Sequence, residues 1–211
     1  MRNEDGRGAI AMSDHQNDVL REMGNIGSGH VLTALSQMTK REFSISAPDA
    51  EFLDYEELPA KMGDAEDARA AVTVDLSGDI EGIFMFIADR SLADALLSSL
   101  GVGLAAPEFF YEMEPMQRSA LLEVGNIVAN SYVTAVCGLT GLSVSSSVPA
   151  MSVDMLGALL NLPVLRYAVT ESRMIYMRSA FCIDGEEFNG NVVLFPDHPS
   201  LERLMASVGP N

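Results

Sequence analysis

A glutamate and an asparagine stand three residues apart twice in this chain, as Glu22 with Asn25 and as Glu123 with Asn126. An asparagine amide can hold a water molecule by hydrogen bonding, and a carboxylate beside it can pair with a cation on another molecule. Those are positioning tasks, and hydrolysis of a phosphoryl group rests mainly on positioning and charge stabilisation. Other chemistries lack their residues. No Cys or Ser nucleophile has a partnered His, and His15, His30 and His198 match no repeated position. His30 reads as a packed or capping residue on the buried side of a helix. The stretch Gly24–Gly29 lies within a helical pattern and lacks the lysine of a phosphate loop. One glutamate per site is too few for a metal centre, so no cofactor of the chain's own is expected.

A lone Glu or Asn on a helix is ordinarily solvated surface. Repetition singles these out. A shift of 101 residues aligns Arg21–Pro48 with Leu122–Pro149 without gaps, and ten of the 28 positions are identical. Glu22/Glu123, Gly24/Gly125, Asn25/Asn126 and Pro48/Pro149 are among them. Asn is a mediocre helix former in mid-helix, so its presence at one position of both copies calls for a reason other than local structure. Asp18, Glu22 and Asn25 fall at i, i+4 and i+7 and form one column on a helix, as do Ser119, Glu123 and Asn126. Gly29/Asn130 and Ser36/Cys137 extend the columns, and Gly24 and Gly125 beside them leave room for a partner's approach.

The elements that must carry these columns are two long helices. The first starts at an N-cap on Ser13, with Gln16 completing a capping box, and ends near Thr39 to Arg41. Its apolar stripe is Leu20, Met23, Gly27, Ala34 and Met38. The second starts around Pro115, closes at Gly138 and Gly141, and buries Leu121, Val124, Val128, Ala135 and Leu139. Strands are expected at Phe43–Ala47, Arg69–Leu76, Ile80–Ala88, Leu142–Val148, Arg173–Ile183 and Asn191–Pro196. Ser77–Asp79 turns one hairpin, and Asp184–Gly190 forms the loop of a longer one. Short helices follow at Leu92–Leu100 and Pro199–Ser207, and Pro59–Asp67 reads as a polar loop. The fold class is therefore α+β: two helix-plus-antiparallel-strand units related by a pseudo-twofold, with one sheet covered by helices. Repeat one spans about 14–100 and repeat two about 114–207, within a single domain at 13–211 that follows a disordered leader at 1–12.

Composition narrows the partners. The net charge of −17 repels nucleic acid and anionic membrane. The acids are spread along the chain, and lysine is confined to Lys40 and Lys61. That pattern favours a halophilic acidic surface over a basic partner. No run of eighteen apolar residues argues for a membrane span. Cys137 and Cys182 sit in apolar surroundings and read as buried reduced thiols of a cytoplasmic protein.

The chain resembles the CheC family of chemotaxis phosphatases, which is related to CheX and to the flagellar switch protein FliY. The family motif is Asp or Ser, three residues, Glu, two residues, Asn, then 21 or 22 residues and Pro. Asp18, Glu22, Asn25 and Pro48 fit it, and Ser119, Glu123, Asn126 and Pro149 fit it again, each with 22 residues before the Pro. The resemblance implies hydrolysis of the aspartyl phosphate on the response regulator CheY. By it, Asn25 and Asn126 position the attacking water and Glu22 and Glu123 pair with a regulator Lys, while Mg²⁺ stays on CheY. It also implies the receptor deamidase CheD as a partner, so that a non-enzymatic adaptor binding CheD or CheY is the alternative. For a CheD surface the sequence offers the stretch Ser152–Leu160 with Asp154, whose other reading is a helix packed on the sheet. Two intact sites distinguish the chain from CheX, which keeps one.

Overall fold

The computed structural model describes residues 14–39, 41–46, 48–104, 110–167 and 173–208. The proposed leader and the Ser13 cap lie outside these residues.

Helix α1 runs Asp14–Thr39 and helix α4 Pro115–Thr140, each of 26 residues. Pro115 occupies the first turn of α4, and the Gln117 side chain accepts the Glu114 N–H at 2.8 Å. Gly141, left-handed at φ 71°, ends the helix. Gly138 lies within it and stops nothing.

Between and after the long helices come β1 (Phe43–Ile45), β2 (Asp49–Asp54), α2 (Leu58–Met62), β3 (Ala68–Gly78), β4 (Gly82–Asp89) and α3 (Arg90–Ser99). The second half continues with β5 (Val144–Ser146), β6 (Ala150–Met155), α5 (Leu156–Tyr167), β7 (Arg173–Ile183), β8 (Glu186–Pro196) and α6 (His198–Ser207). The strands form one antiparallel sheet in the order β1-β7-β8-β4-β3-β5, with β2 also on β7 and β6 also on β3. Exchanging the halves leaves this order unchanged. β4 and β8 meet at the centre, with Met85 opposite Val193. The edge strands are exchanged: β1 and β2 of the first half pair with β7 of the second, and β5 and β6 of the second pair with β3 of the first.

Alternation along β4 explains the layering. Phe84, Phe86 and Ala88 enter the core beneath α1, α3, α4 and α6, whereas Ile83, Met85 and Ile87 enter a second core beneath α2 and α5. A central strand covered on both faces reads as an unbroken apolar run, as Gly82–Ala88 does. Asp89 and Asp197 cap α3 and α6 in the same way, accepting the N–H of Leu92 at 2.8 Å and of Ser200 at 2.9 Å.

Several expectations are corrected. The apolar stripe of α1 continues through Val31 and Leu35, both buried, while Met38 is 40% exposed and Ala34 half-buried. The spacing from Gly27 through Ala34 and Met38 keeps the helical period as well as that through Val31 and Leu35, so period alone does not separate the two sets, and it is the Val31–Leu35 side that meets the core. Leu139 is likewise exposed at the far end of α4. The β7–β8 loop is a two-residue turn, Asp184 (φ 52°) and Gly185 (φ 88°), because Asp-Gly suits the doubly left-handed turn of a tight hairpin. Residues Glu186–Asn189 are strand that extends past the end of β4, paired with β7 alone. Ser152–Met155 belongs to β6, and only from Leu156 does the chain turn helical. Pro59–Asp67 begins inside the short helix α2, which buries Leu58 and Met62. Cys137 and Cys182 are free and half-buried. By length and hydropathy α4 could cross a bilayer, but 56% of its most apolar stretch is buried within the fold, and its core residues pack with those of α1 and the sheet.

Candidate functional site

Helices α1 and α4 pack side by side. The Tyr132 ring lies over Gly27, and its hydroxyl sits 3.1 Å from Ser28 Oγ. His30, three residues further along α1, borders Glu123 and Asn126, which lie earlier on α4. Burial pushes the Tyr132 phenol up, partly offset by hydrogen bonds from Ser28 and Ser179, so this packing group stays neutral.

With the apolar stripes spent on the sheet, the columns face outward. Asp18, Glu22 and Asn25 are exposed on α1, and Ser119 and Glu123 are exposed on α4. Asn126 is half-buried. Among the described residues neither Glu22 nor Glu123 has an ion-pair partner, and the Asn25 amide makes no hydrogen bond. Each carboxylate is therefore free to meet a cation from outside, with an amide one turn away.

The two sites differ in their surroundings. Asn130 Nδ2 donates to Asn126 Oδ1 at 2.9 Å and to the Asn126 carbonyl at 3.0 Å. Ser146 of β5 in turn donates to Asn130 Oδ1 at 2.9 Å. An open cleft runs past this site, bordered by Glu123, Asn126, Asn130 and Thr134 of α4 and by His30 of α1. His30 is thus exposed at the second site and not packed on a buried side. In the first repeat the positions of Asn130 and Ser146 are held by Gly29 and Ile45.

The motif's glycines serve the fold. A side chain at Gly24 would overlap the Pro48 ring, and one at Gly125 would overlap Val72. Both glycines are buried, so they admit the sheet layer and not a visiting protein. Pro48 thereby acquires a structural reason for its place in the motif. Asp154 is exposed on β6, in register with Arg69, and its carboxylate accepts the Met155 N–H. It lies on neither long helix.

Comparison with known proteins gives the frame for these residues. Residues 16–51 match the CheC-like family. The CheY-P phosphatase CheC of Bacillus subtilis is 33% identical over 203 residues, 94% of this chain and 96% of that protein. The chain belongs to the CheC-like family. Solved structures share the CheC-like fold. FliY of Thermotoga maritima superposes with a TM-score of 0.72 at 16% identity, covering 94% of this chain and 98% of that one. CheX of Borrelia burgdorferi, solved as a CheX–CheY–BeF3–Mg complex, gives a TM-score of 0.51 at 18% identity, covering 83% and 98%.

The sequence reached both Glu–Asn pairs but missed the Asn130–Ser146 link and the place of His30. Asn130 was visible as the next residue of its column. That Ser146 meets it depends on β5 docking on β3, which no local pattern reveals.

Proposed function

We propose that this protein hydrolyses the aspartyl phosphate of a CheY-type response regulator, using Glu22 with Asn25 and Glu123 with Asn126 as its two sites in the cytoplasm. The observation that carries this reading is the pairing, in both halves, of an exposed and unpaired carboxylate with an amide one turn further along the same helix face. A regulator docked on the column meets the glutamate with a Lys near its phosphorylated Asp. Charge attraction sets the register, and the asparagine amide holds a water in line with phosphorus. The metal ion belongs to the regulator: Mg²⁺ held beside the phosphoryl group neutralises its developing charge. This chain then supplies orientation without a covalent intermediate.

The B. subtilis relative bears the name CheY-P phosphatase, and the related fold of CheX occurs in complex with CheY, BeF3 and Mg. Both support the same substrate class. The test is the decay of the phosphorylated cognate regulator with and without the purified protein. Acceleration at substoichiometric protein is expected. Decay at the regulator's own rate would overturn the reading.

A further inference from the structure

The hydrogen-bond link found at one site only makes the sites unequal. We propose that Asn130 and Ser146 are positioning residues that fix the Asn126 amide, so that the second site turns over faster than the first. This rests on the reading of Asn126 as the water-positioning group.

The geometry is a relay from the sheet to the site. Ser146 belongs to β5, in register with Leu76 of β3. Its hydroxyl donates to Asn130 Oδ1, and Asn130 Nδ2 donates to Asn126 Oδ1. The Asn126 side chain is thus tied to the sheet through two bonds of 2.9 Å. An amide held by its oxygen has a defined plane. Its NH₂ group then points away from Asn130 with both donors unspent, and the oxygen keeps a second lone pair. Water can be held at one place by such a group, because the rotamer freedom that a loose side chain loses on docking has already been lost on folding.

Site one has no such device. Asn25 makes no hydrogen bond among the described residues, Gly29 stands where Asn130 stands, and Ile45 stands where Ser146 stands. A Cβ at Gly29 would meet open space, so among the described residues no side chain from elsewhere in the fold substitutes for the missing amide. Asn25 must be ordered anew at each encounter with a regulator.

The experiment isolates site two by working in an Asn25→Ala background and measuring kcat and KM for the phosphorylated cognate regulator. Adding Asn130→Ala is expected to lower kcat three- to tenfold with KM unchanged, the range that the net worth of a neutral hydrogen bond allows. Asn130→Asp keeps the shape but has no donor for Asn126, so it is expected to lose as much. Ser146→Ala is expected to lose less. Asn130 is exposed, so thermal melting of these variants should match the background. The two single-site proteins complete the test: Asn25→Ala is expected to outpace Asn126→Ala. Full kcat in Asn25→Ala/Asn130→Ala, with activity abolished in Asn25→Ala/Asn126→Ala, would overturn the relay and leave the proposed function standing. Full kcat in Asn25→Ala/Asn126→Ala would instead overturn the role of Asn126 and the relay with it.

Discussion

The Pro48 ring rests on the backbone of Gly24, closely enough that a methyl group on that glycine would overlap it. The proline of the motif is thus a fold constraint: it seats the start of β2 against the helix that carries Glu22 and Asn25. Alanine at Gly24 is expected to destabilise by about 1–3 kcal/mol, because the overpacking outweighs alanine's better helix propensity. Gly138, inside α4 with open space around it, gives the opposite sign, and Gly138→Ala is expected to stabilise by up to about 1 kcal/mol. Urea midpoints of the two variants check this. Equal shifts would show that helix propensity, and not the ring contact, decides.

The exchanged edge strands predict that the repeats do not fold separately. A chain ending at residue 104 has β1 and β2 but lacks β7, on which both pair. It also exposes β4, which β8 covers in the whole protein. Neither residues 1–104 nor 110–211 should give a cooperative melt alone, whereas a mixture should recover one. A cooperative transition in either half would contradict the exchange.

Charge makes a prediction about salt. At −17, repulsion across the surface opposes the compact state, and the Debye length falls to about 3 Å at 1 M salt. The melting midpoint should therefore rise between dilute buffer and molar KCl by about 3–6 °C, equivalent to roughly 1–2 kcal/mol. A midpoint that stays flat or falls would favour a surface held for a basic partner.

Alkaline pH probes the buried phenols. Burial raises Tyr176 to about 12, with nearby Arg178 opposing the shift, while its hydroxyl donates to Asn191 Oδ1 at 2.7 Å. Burial raises Tyr132 as well. In the unfolded chain both ionise at the ordinary value near 10. Between about 10 and 12 the unfolded state sheds protons that the folded state keeps, so stability is full below pH 10 and declines as pH rises. Urea midpoints from pH 8 to 11.5 should fall above pH 10, and tyrosinate absorbance from the buried phenols should appear with unfolding. A midpoint level through pH 11.5 would contradict the burial of these groups.

Local signals carried the reading of α1, α4 and the Glu–Asn columns. A 26-residue helix repeats its period often enough to fix its face, and the internal repeat marked the polar positions that both copies keep. β2 and β6 carry little local signal, because Asp49–Asp54 and Ala150–Met155 are partly exposed and mix polar with apolar residues. Strand exchange is a matter of long-range pairing, and no window of sequence carries it. Gly24 and Gly125 announce a close contact in the sequence without saying with what, and the structure gives it to Pro48 and Val72 and not to a partner. A stripe through Ala34 turns the buried face toward His30, whereas the observed stripe through Val31 and Leu35 turns it away and leaves His30 exposed.

The central claim is that the two Glu–Asn pairs carry the phosphatase activity, and the Asn25→Ala/Asn126→Ala protein tests it most directly. Phosphorylated cognate CheY would be followed as it decays in Mg²⁺ buffer with no protein, with the parent chain and with this variant. Removing exposed and half-buried amides should leave the melting midpoint nearly unchanged. The account predicts accelerated decay with the parent and decay at the unassisted rate with the variant. Parental acceleration by a folded Asn25→Ala/Asn126→Ala protein would contradict it.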